Sequence, residues 1–193
     1  MTVNAVFFCS YKDVGKIPSD DRAQIAFAGR SNVGKSTLLN RLVNQKKLAK
    51  TSKTPGRTRL LNFFLIQDTY YFVDLPGYGF AKASKKDKNE WGRMVESYFQ
   101  ERKNLKGLIL LLDCRREPNN DDLMLLNWLQ SEDIAFTIAL TKADKLGKNK
   151  LYSKVREIKK DFGIEPIPFS SLSGIGRKEL WKWINDTVDS NEN

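Results

Sequence analysis

Histidine is absent from the 193 residues, cysteine occurs twice and proline six times. Without imidazole, the chain lacks the one side chain that ordinarily titrates near neutral pH, so any hydrolytic chemistry must rest on positioning and electrostatics. Cys9 and Cys114 belong to no C-x-x-C pair and have no histidine to join them, so structural zinc is not expected. Both read as small core residues rather than as a disulfide. No apolar stretch approaches the ~20 residues of a membrane span. The N-terminus lacks a signal peptide's ordered charged, apolar and cleavable segments, so the expectation is a soluble cytoplasmic protein. Acid is scarce too: 23 Asp and Glu stand against 33 Lys and Arg, a net charge of +10. That excess points to an acidic partner such as nucleic acid, a ribonucleoprotein or an anionic membrane surface, and charge alone does not choose among them.

What is present begins with Gly29-Arg30-Ser31-Asn32-Val33-Gly34-Lys35-Ser36, a match to the phosphate-loop pattern G-x-x-x-x-G-K-[ST]. Two glycines let backbone N–H groups turn toward a phosphate, Lys35 brings a point charge to the β/γ oxygens, and the Ser36 hydroxyl suits Mg²⁺. The apolar run Gln24 to Ala28 leads into the first glycine, and Thr37 to Val43 carries apolar residues at helical spacing behind the serine. A bound phosphate would therefore sit at a helix N-terminus, where unpaired N–H groups and the macrodipole favour an anion.

Further along, Leu60 to Ile66 and Tyr70 to Asp74 read as a hairpin around Gln67-Asp68-Thr69. Gly107 to Asp113 and Ile134 to Thr141 are near-continuous apolar runs, the mark of parallel strands buried on both faces. Helical patterns over Asn89 to Arg102, Asp121 to Gln130, Lys148 to Phe162 and Arg177 to Val188 supply crossovers, and Ile167-Pro168-Phe169 a short last strand. The expected fold is a doubly wound α/β phosphate-loop domain: a mostly parallel six-stranded sheet with one antiparallel edge strand and helices on both faces. Residues 1–20 are an N-terminal extension in which Ala5 to Cys9 is a candidate added strand, residues 21–188 the nucleotide-binding domain and residues 189–193 a frayed tail.

In an open α/β sheet the ligand lies at the C-terminal ends of the strands. Asp74-Leu75-Pro76-Gly77 stands at one such end: the carboxylate suits Mg²⁺ through water, and the Gly77 N–H suits a γ-phosphate. Taken alone, D-x-x-G is also a common turn sequence. Thr141-Lys142-Ala143-Asp144 follows another strand and is similar to the N/T-K-x-D base-recognition motif of GTP-binding proteins. A fixed Asp144 carboxylate accepts from the N1–H and exocyclic amine of guanine, a donor pair that adenine lacks. There the Lys142 stem covers the base and Thr141 ties this loop to the phosphate loop. Phe169, Ser170, Ser171 and Leu172 occupy the place of the loop whose backbone touches the guanine edge.

These segments together resemble the EngB family of bacterial GTPases, relatives of Era. The likeness rests on G-R-S-N-V-G-K-S, T-P-G-R-T at Thr54 to Thr58, D-L-P-G-Y-G at Asp74 to Gly79, T-K-A-D, and F-S-S at Phe169 to Ser171. It implies GTP and Mg²⁺ binding, a role in assembly of the large ribosomal subunit, and an association with septation and cell division; the chain is expected to be a monomer. The polar, basic, glycine-containing segment Lys46 to Arg59 reads as a switch loop or as a basic surface loop, and Gly56, Arg57, Thr58, Arg59 and Leu60 are its expected nucleotide contacts. By resemblance Thr58 is its Mg²⁺- and γ-phosphate-closing residue, Thr54 the second choice, and Ser36, Thr58 and Asp74 form the metal set. The residues assigned to hydrolysis are Lys35, Thr58, Gly77 and Asn32.

Tyr78 stands where Ras-like proteins carry the water-orienting glutamine, so slow intrinsic turnover is expected, accelerated by a partner or a cation. Asn32 matches the asparagine of potassium-stimulated GTPases, and a K⁺ held between it and the nucleotide would supply the charge of an arginine finger; a turn also suffices to explain an asparagine there. Lys82, Lys85, Lys86, Lys88 and Arg93, with Tyr78, Phe80 and Trp91 among them, and then Lys145, Lys148, Lys150, Lys154 and Arg156, are either solvated helix faces or contacts to a phosphate backbone. Two other readings remain open at this point: a division- or membrane-linked switch without ribosome contact, and a phosphate-loop ATPase or kinase.

Overall fold

The computed structural model describes residues 3–11, 20–49, 60–79, 85–101 and 104–190. Its strands are β1 (Ala5–Tyr11), β2 (Gln24–Gly29), β3 (Leu61–Ile66), β4 (Tyr70–Asp74), β5 (Leu105–Asp113), β6 (Phe136–Thr141) and β7 (Ile167–Pro168). The helices are α1 (Lys35–Val43), α2 (Lys85–Glu101), α3 (Asn120–Ser131), α4 (Lys148–Phe162) and α5 (Arg177–Asp189). They form one seven-stranded sheet in the order β1-β3-β4-β2-β5-β6-β7. β4, β2, β5, β6 and β7 run parallel, and β3 is antiparallel to both of its neighbours.

The strand count is one more than the six expected, because Ala5–Tyr11 adds along the outer edge of β3. The antiparallel strand consequently lies second from the edge. Cys9, read from sequence as a core residue, is only half-buried on this edge strand, whereas Cys114 beyond β5 is buried. An edge strand has neighbours on one side only, which leaves part of its side chains in solvent.

β2 shows why the sheet must be covered twice. Ile25 and Phe27 face a layer built with Leu38, Leu39 and Leu42 of α1 and Leu180 and Ile184 of α5. Ala26 and Ala28 face the opposite layer, with Val95 and Tyr98 of α2, Leu125, Leu126 and Leu129 of α3, and Ile158 of α4. Alternation along a strand buried on both faces yields one unbroken apolar run with two destinations. The α4 boundaries coincide with the periodicity read from sequence, flanked by Gly147 as N-cap and a left-handed Gly163 as C-cap. α2 starts four residues before the expected Asn89, since its lysine-rich first turn carries no apolar signal.

Candidate nucleotide-binding site

β2 delivers the chain into the phosphate loop at Gly29. A Cβ at this position would stand 2.9 Å from Val33 Cγ1 and 3.0 Å from the Leu111 carbonyl oxygen, so the loop can fold back onto β5 only with glycine here. Asn32 (φ 64°) and Gly34 (φ 108°) both take left-handed conformations, curling the loop before α1 begins at Lys35. Lys35 and Ser36 thus stand in the first helical turn, where N–H groups lack intrahelical partners. Lys35 Nζ lies against the Asp74 carboxylate, joining the phosphate loop to the end of β4.

Asp74 pairs in register with Phe27 of β2 and Asn62 of β3, and the next residue, Leu75, donates its N–H to the Phe27 carbonyl at 3.0 Å. Gly77 then passes close to the phosphate loop: a Cβ on it would meet Ser31 Oγ at 3.0 Å and Ser31 N at 3.2 Å. Ser31 N–H donates to the Tyr78 carbonyl at 2.9 Å, and Trp91 Nε1 donates to the Pro76 carbonyl at 2.7 Å. Tyr78 itself turns inward. Its hydroxyl donates to Asp122 Oδ1 at 2.7 Å, and its ring meets Trp91 edge-on at 5.1 Å. Burial, with the Asp122 charge adding to it, holds the Tyr78 phenol well above its ordinary value, so it stays a neutral donor.

On the base side, Thr141 Oγ1 is within hydrogen-bond distance of the carbonyls of Val33 (2.8 Å) and Leu112 (3.1 Å), linking the T-K-A-D loop to the phosphate loop. Lys142, left-handed at φ 60°, donates to the Asn32 carbonyl and to Asp113 Oδ2, both at 2.9 Å. Burial alone would raise the Asp113 carboxyl, but hydrogen bonds from Arg115 and then Lys142 outweigh it and hold the group far below the usual carboxylate range. Ala143 N–H donates to the Phe169 carbonyl at 3.1 Å, so the two base-side loops are stitched together. Ser170, fully buried, donates its hydroxyl to Asp144 Oδ1 at 2.7 Å. That bond, outweighing desolvation, lowers the Asp144 carboxyl and keeps it ionised and aimed. Leu172 and Ser173 direct their N–H groups to Ser170 Oγ at 3.3 and 3.2 Å, and the Leu172 side chain is exposed. Thr54, Gly56, Arg57, Thr58 and Arg59 lie outside the described residues; Leu60 is half-buried just before β3.

A family model described as "50S ribosome-binding GTPase" matches residues 24–142, which span the phosphate loop, the Asp74 segment and the start of the base loop. The chain is 48% identical over 189 residues to a probable GTP-binding protein EngB of Clostridium kluyveri, covering 96% of both chains. This chain belongs to the EngB family of GTP-binding proteins. A second EngB relative, from Desulfosudis oleivorans, is 50% identical over 177 residues, 90% of each chain. Among solved structures, a probable GTP-binding protein engB superposes with a TM-score of 0.72 at 26% identity, covering 88% of this chain and all of that one. Era solved with MgGDPNP and a segment of 16S ribosomal RNA gives a TM-score of 0.64 at 27% identity, over 84% of this chain and 55% of Era.

Within this EngB chain, three participants escaped the sequence reading. Asp122 is one: the spacing of Asn119 and Asp122 signals a helix-capping pair, and both reciprocal bonds are present at 2.9 and 3.0 Å, but nothing local shows that Tyr78 also uses that carboxylate. Asp113 is another, visible only as the end of an apolar strand. Arg116 is the third, and with Arg30, already among the expected nucleotide-binding residues, it faces a cavity of about 330 Å³ beside Asn32, Gly79 and Pro118. This cavity is lined by Arg30 to Val33 and Lys142 but by neither Lys35, Ser36 nor Asp144, so it overlaps the expected nucleotide site only in part. Lys154, read from sequence as part of a basic surface, is buried against Glu117 and Glu157, because a long aliphatic stem fits the core edge while its ammonium reaches two carboxylates.

Proposed function

We propose that this EngB chain is a Mg²⁺-dependent GTP-binding switch and slow GTPase acting in assembly of the large ribosomal subunit, with an associated role in septation and cell division. The observation that carries the guanine reading is the buried Ser170 hydroxyl aiming the Asp144 carboxylate, next to a Thr141 that anchors the same loop to the phosphate loop. Discrimination against adenine follows because a site built to accept from two donors leaves its acceptors unpaired with the wrong base.

In this reading the N–H groups of residues 29–36 and Lys35 hold the β- and γ-phosphates. The Ser36 hydroxyl, which follows Lys35 in the chain, and the Asp74 carboxylate, against which Lys35 Nζ lies, are hard oxygen donors of the kind suited to Mg²⁺. When bound, Mg²⁺ supplies charge neutralisation on the phosphate oxygens. Gly77 offers its N–H to the γ-phosphate, while Thr58, by family resemblance, closes from the switch segment. Turnover is slow in this reading because the side chain following Gly77 is committed to Asp122 and orients no water. A K⁺ beside Asn32 is the charge donor proposed for stimulated turnover, and equal rates in sodium and potassium with large ribosomal subunits present would remove it. The family description and the excess of basic residues support a ribosomal partner in the cytoplasm.

Equilibrium binding of fluorescent GDP, GTP and ATP analogues with Mg²⁺, beside an Asp144→Asn variant, tests the core of this reading. Guanine nucleotides should bind far better than ATP, and the variant should shift toward xanthine nucleotides, whose second carbonyl matches the new amide donor. ATP binding on a par with GTP would overturn it. Co-sedimentation with ribosomal particles in each nucleotide state tests the partner, and a division- or membrane-linked switch would show no such association.

A further inference from the structure

Helix α4 begins directly after the base loop and buries Lys154 and Ile158, with Leu151, Val155 and Phe162 packed at the core edge. Its outward face carries Lys148, Tyr152, Arg156 and Lys160, separated by three steps of four residues, all exposed, with Tyr152 at 64%. Such spacing places them on one stripe. At 1.5 Å per residue the stripe runs about 18 Å, and the helix's two acids, Glu157 and Asp161, lie outside that series.

Two basic side chains of the helix are ion-paired, whereas among the described residues Lys150, which lies off the stripe, is unpaired like the stripe's own cations. Lys154 meets Glu117 and Glu157, and Lys159 meets Glu165 at 2.6 Å. Among the described residues, Lys148, Arg156 and Lys160 have no ion pair. The Arg156 guanidinium instead lies over the Tyr152 ring, 5.7 Å from its centroid. One exposed tyrosine is ordinary on any surface. A solvent-facing ring bracketed by unpaired cations and stacked on by an arginine is the arrangement that receives an unstacked base between phosphates.

We propose that the Lys148–Tyr152–Arg156–Lys160 stripe of α4 is a docking surface for single-stranded RNA, with a base stacking on Tyr152 and Arg156 and flanking phosphates on Lys148 and Lys160. Duplex RNA keeps its bases stacked and offers this surface only its backbone, so a loop or end is the matching form. An acidic peptide would satisfy the cations but leaves the ring without a task. The inference rests on the ribosomal reading above only for the source of the RNA.

Fluorescence anisotropy of the full chain with a short labelled oligouridylate and with duplex RNA of equal length, across a KCl series, tests it. The single strand should bind more tightly than the duplex. Tyr152→Ala should weaken single-strand binding roughly tenfold and leave duplex binding unchanged, while Tyr152→Phe keeps both. Lys148→Gln with Lys160→Gln should flatten the log–log salt dependence by about 0.7 per lysine. Each variant should bind fluorescent GDP as the unaltered protein does, which separates loss of this surface from loss of the fold. Equal binding of single strand and duplex, or no effect of Tyr152→Ala, would overturn the proposal. So would a Tyr152→Ala variant that loses ribosomal particles yet keeps oligouridylate, since that outcome assigns the stripe to a protein. Oligouridylate binding through the stripe without any particle association would uphold the surface and sink the ribosomal reading instead.

Discussion

Tyr78 shows how one side chain can set the geometry of a neighbour, Gly77, proposed to meet the γ-phosphate. Gly77 has no side chain to anchor, so its placement near Ser31 depends on the bonds around it: the Tyr78 hydroxyl on Asp122, the Tyr78 carbonyl on Ser31, and the Pro76 carbonyl on Trp91. Tyr78→Phe keeps the ring against Trp91 but leaves a buried Asp122 oxygen short of its donor, a loss of about 1–3 kcal/mol. We expect a lower denaturation midpoint and a drop in affinity for a non-hydrolysable GTP analogue relative to GDP, measured by fluorescent-nucleotide titration. An unchanged GTP-to-GDP ratio would mean that the hydroxyl is structural only. At this scale the sequence displayed the D-x-x-G motif in full, because its residues are contiguous. The Tyr78–Asp122 bond joins positions 44 apart and had no local signature.

Among elements, the shortest strand leads into the loop proposed to read the base. β7 spans only Ile167–Pro168, yet Phe169 and Ser170 follow it directly, and the turn back to α5 passes through Gly176 at φ 79°. A Cβ on Gly176 would overlap the Pro168 carbonyl oxygen, a backbone atom with no room to yield. Gly176→Ala is therefore expected to push Pro168 to Ser170 outward and loosen the Ser170–Asp144 bond. Loss of about 1–3 kcal/mol of stability should accompany weaker GDP binding, observable by urea unfolding and titration. Wild-type affinity in a destabilised variant would show that the base loop is held without this turn. From sequence, Gly176 before Arg177 reads as ordinary helix punctuation. The amphipathic helices were legible with boundaries within two residues, since the 3.6-residue pattern lies within each; the lysine-rich start of α2 was not, having no apolar residue to mark it.

Across the whole molecule, the proposed ligand would touch loops that leave β2, β4, β6 and β7, elements drawn from most of the chain. Binding to the native state alone should therefore stabilise everything at once. GDP with Mg²⁺ at a hundredfold excess over its Kd is expected to add about 2.7 kcal/mol, seen as a rise in Tm, and chelation of the metal should remove part of it. No change in Tm with saturating GDP would count against a native guanine site. The sequence by itself determined the class of the fold and displayed the candidate phosphate-loop, Asp74 and Asp144 motifs, because their physics is local: hydrophobic period, glycine conformations, and residue types in fixed order. Only the tertiary structure decided that Ala5–Tyr11 completes a seventh strand, that Tyr78 turns inward to Asp122, that Lys154 is buried while Lys148, Arg156 and Lys160 stay unpaired, and that Ser170 aims Asp144. Those outcomes depend on which distant surfaces meet when both faces of the sheet are covered, and no stretch of residues carries that information alone.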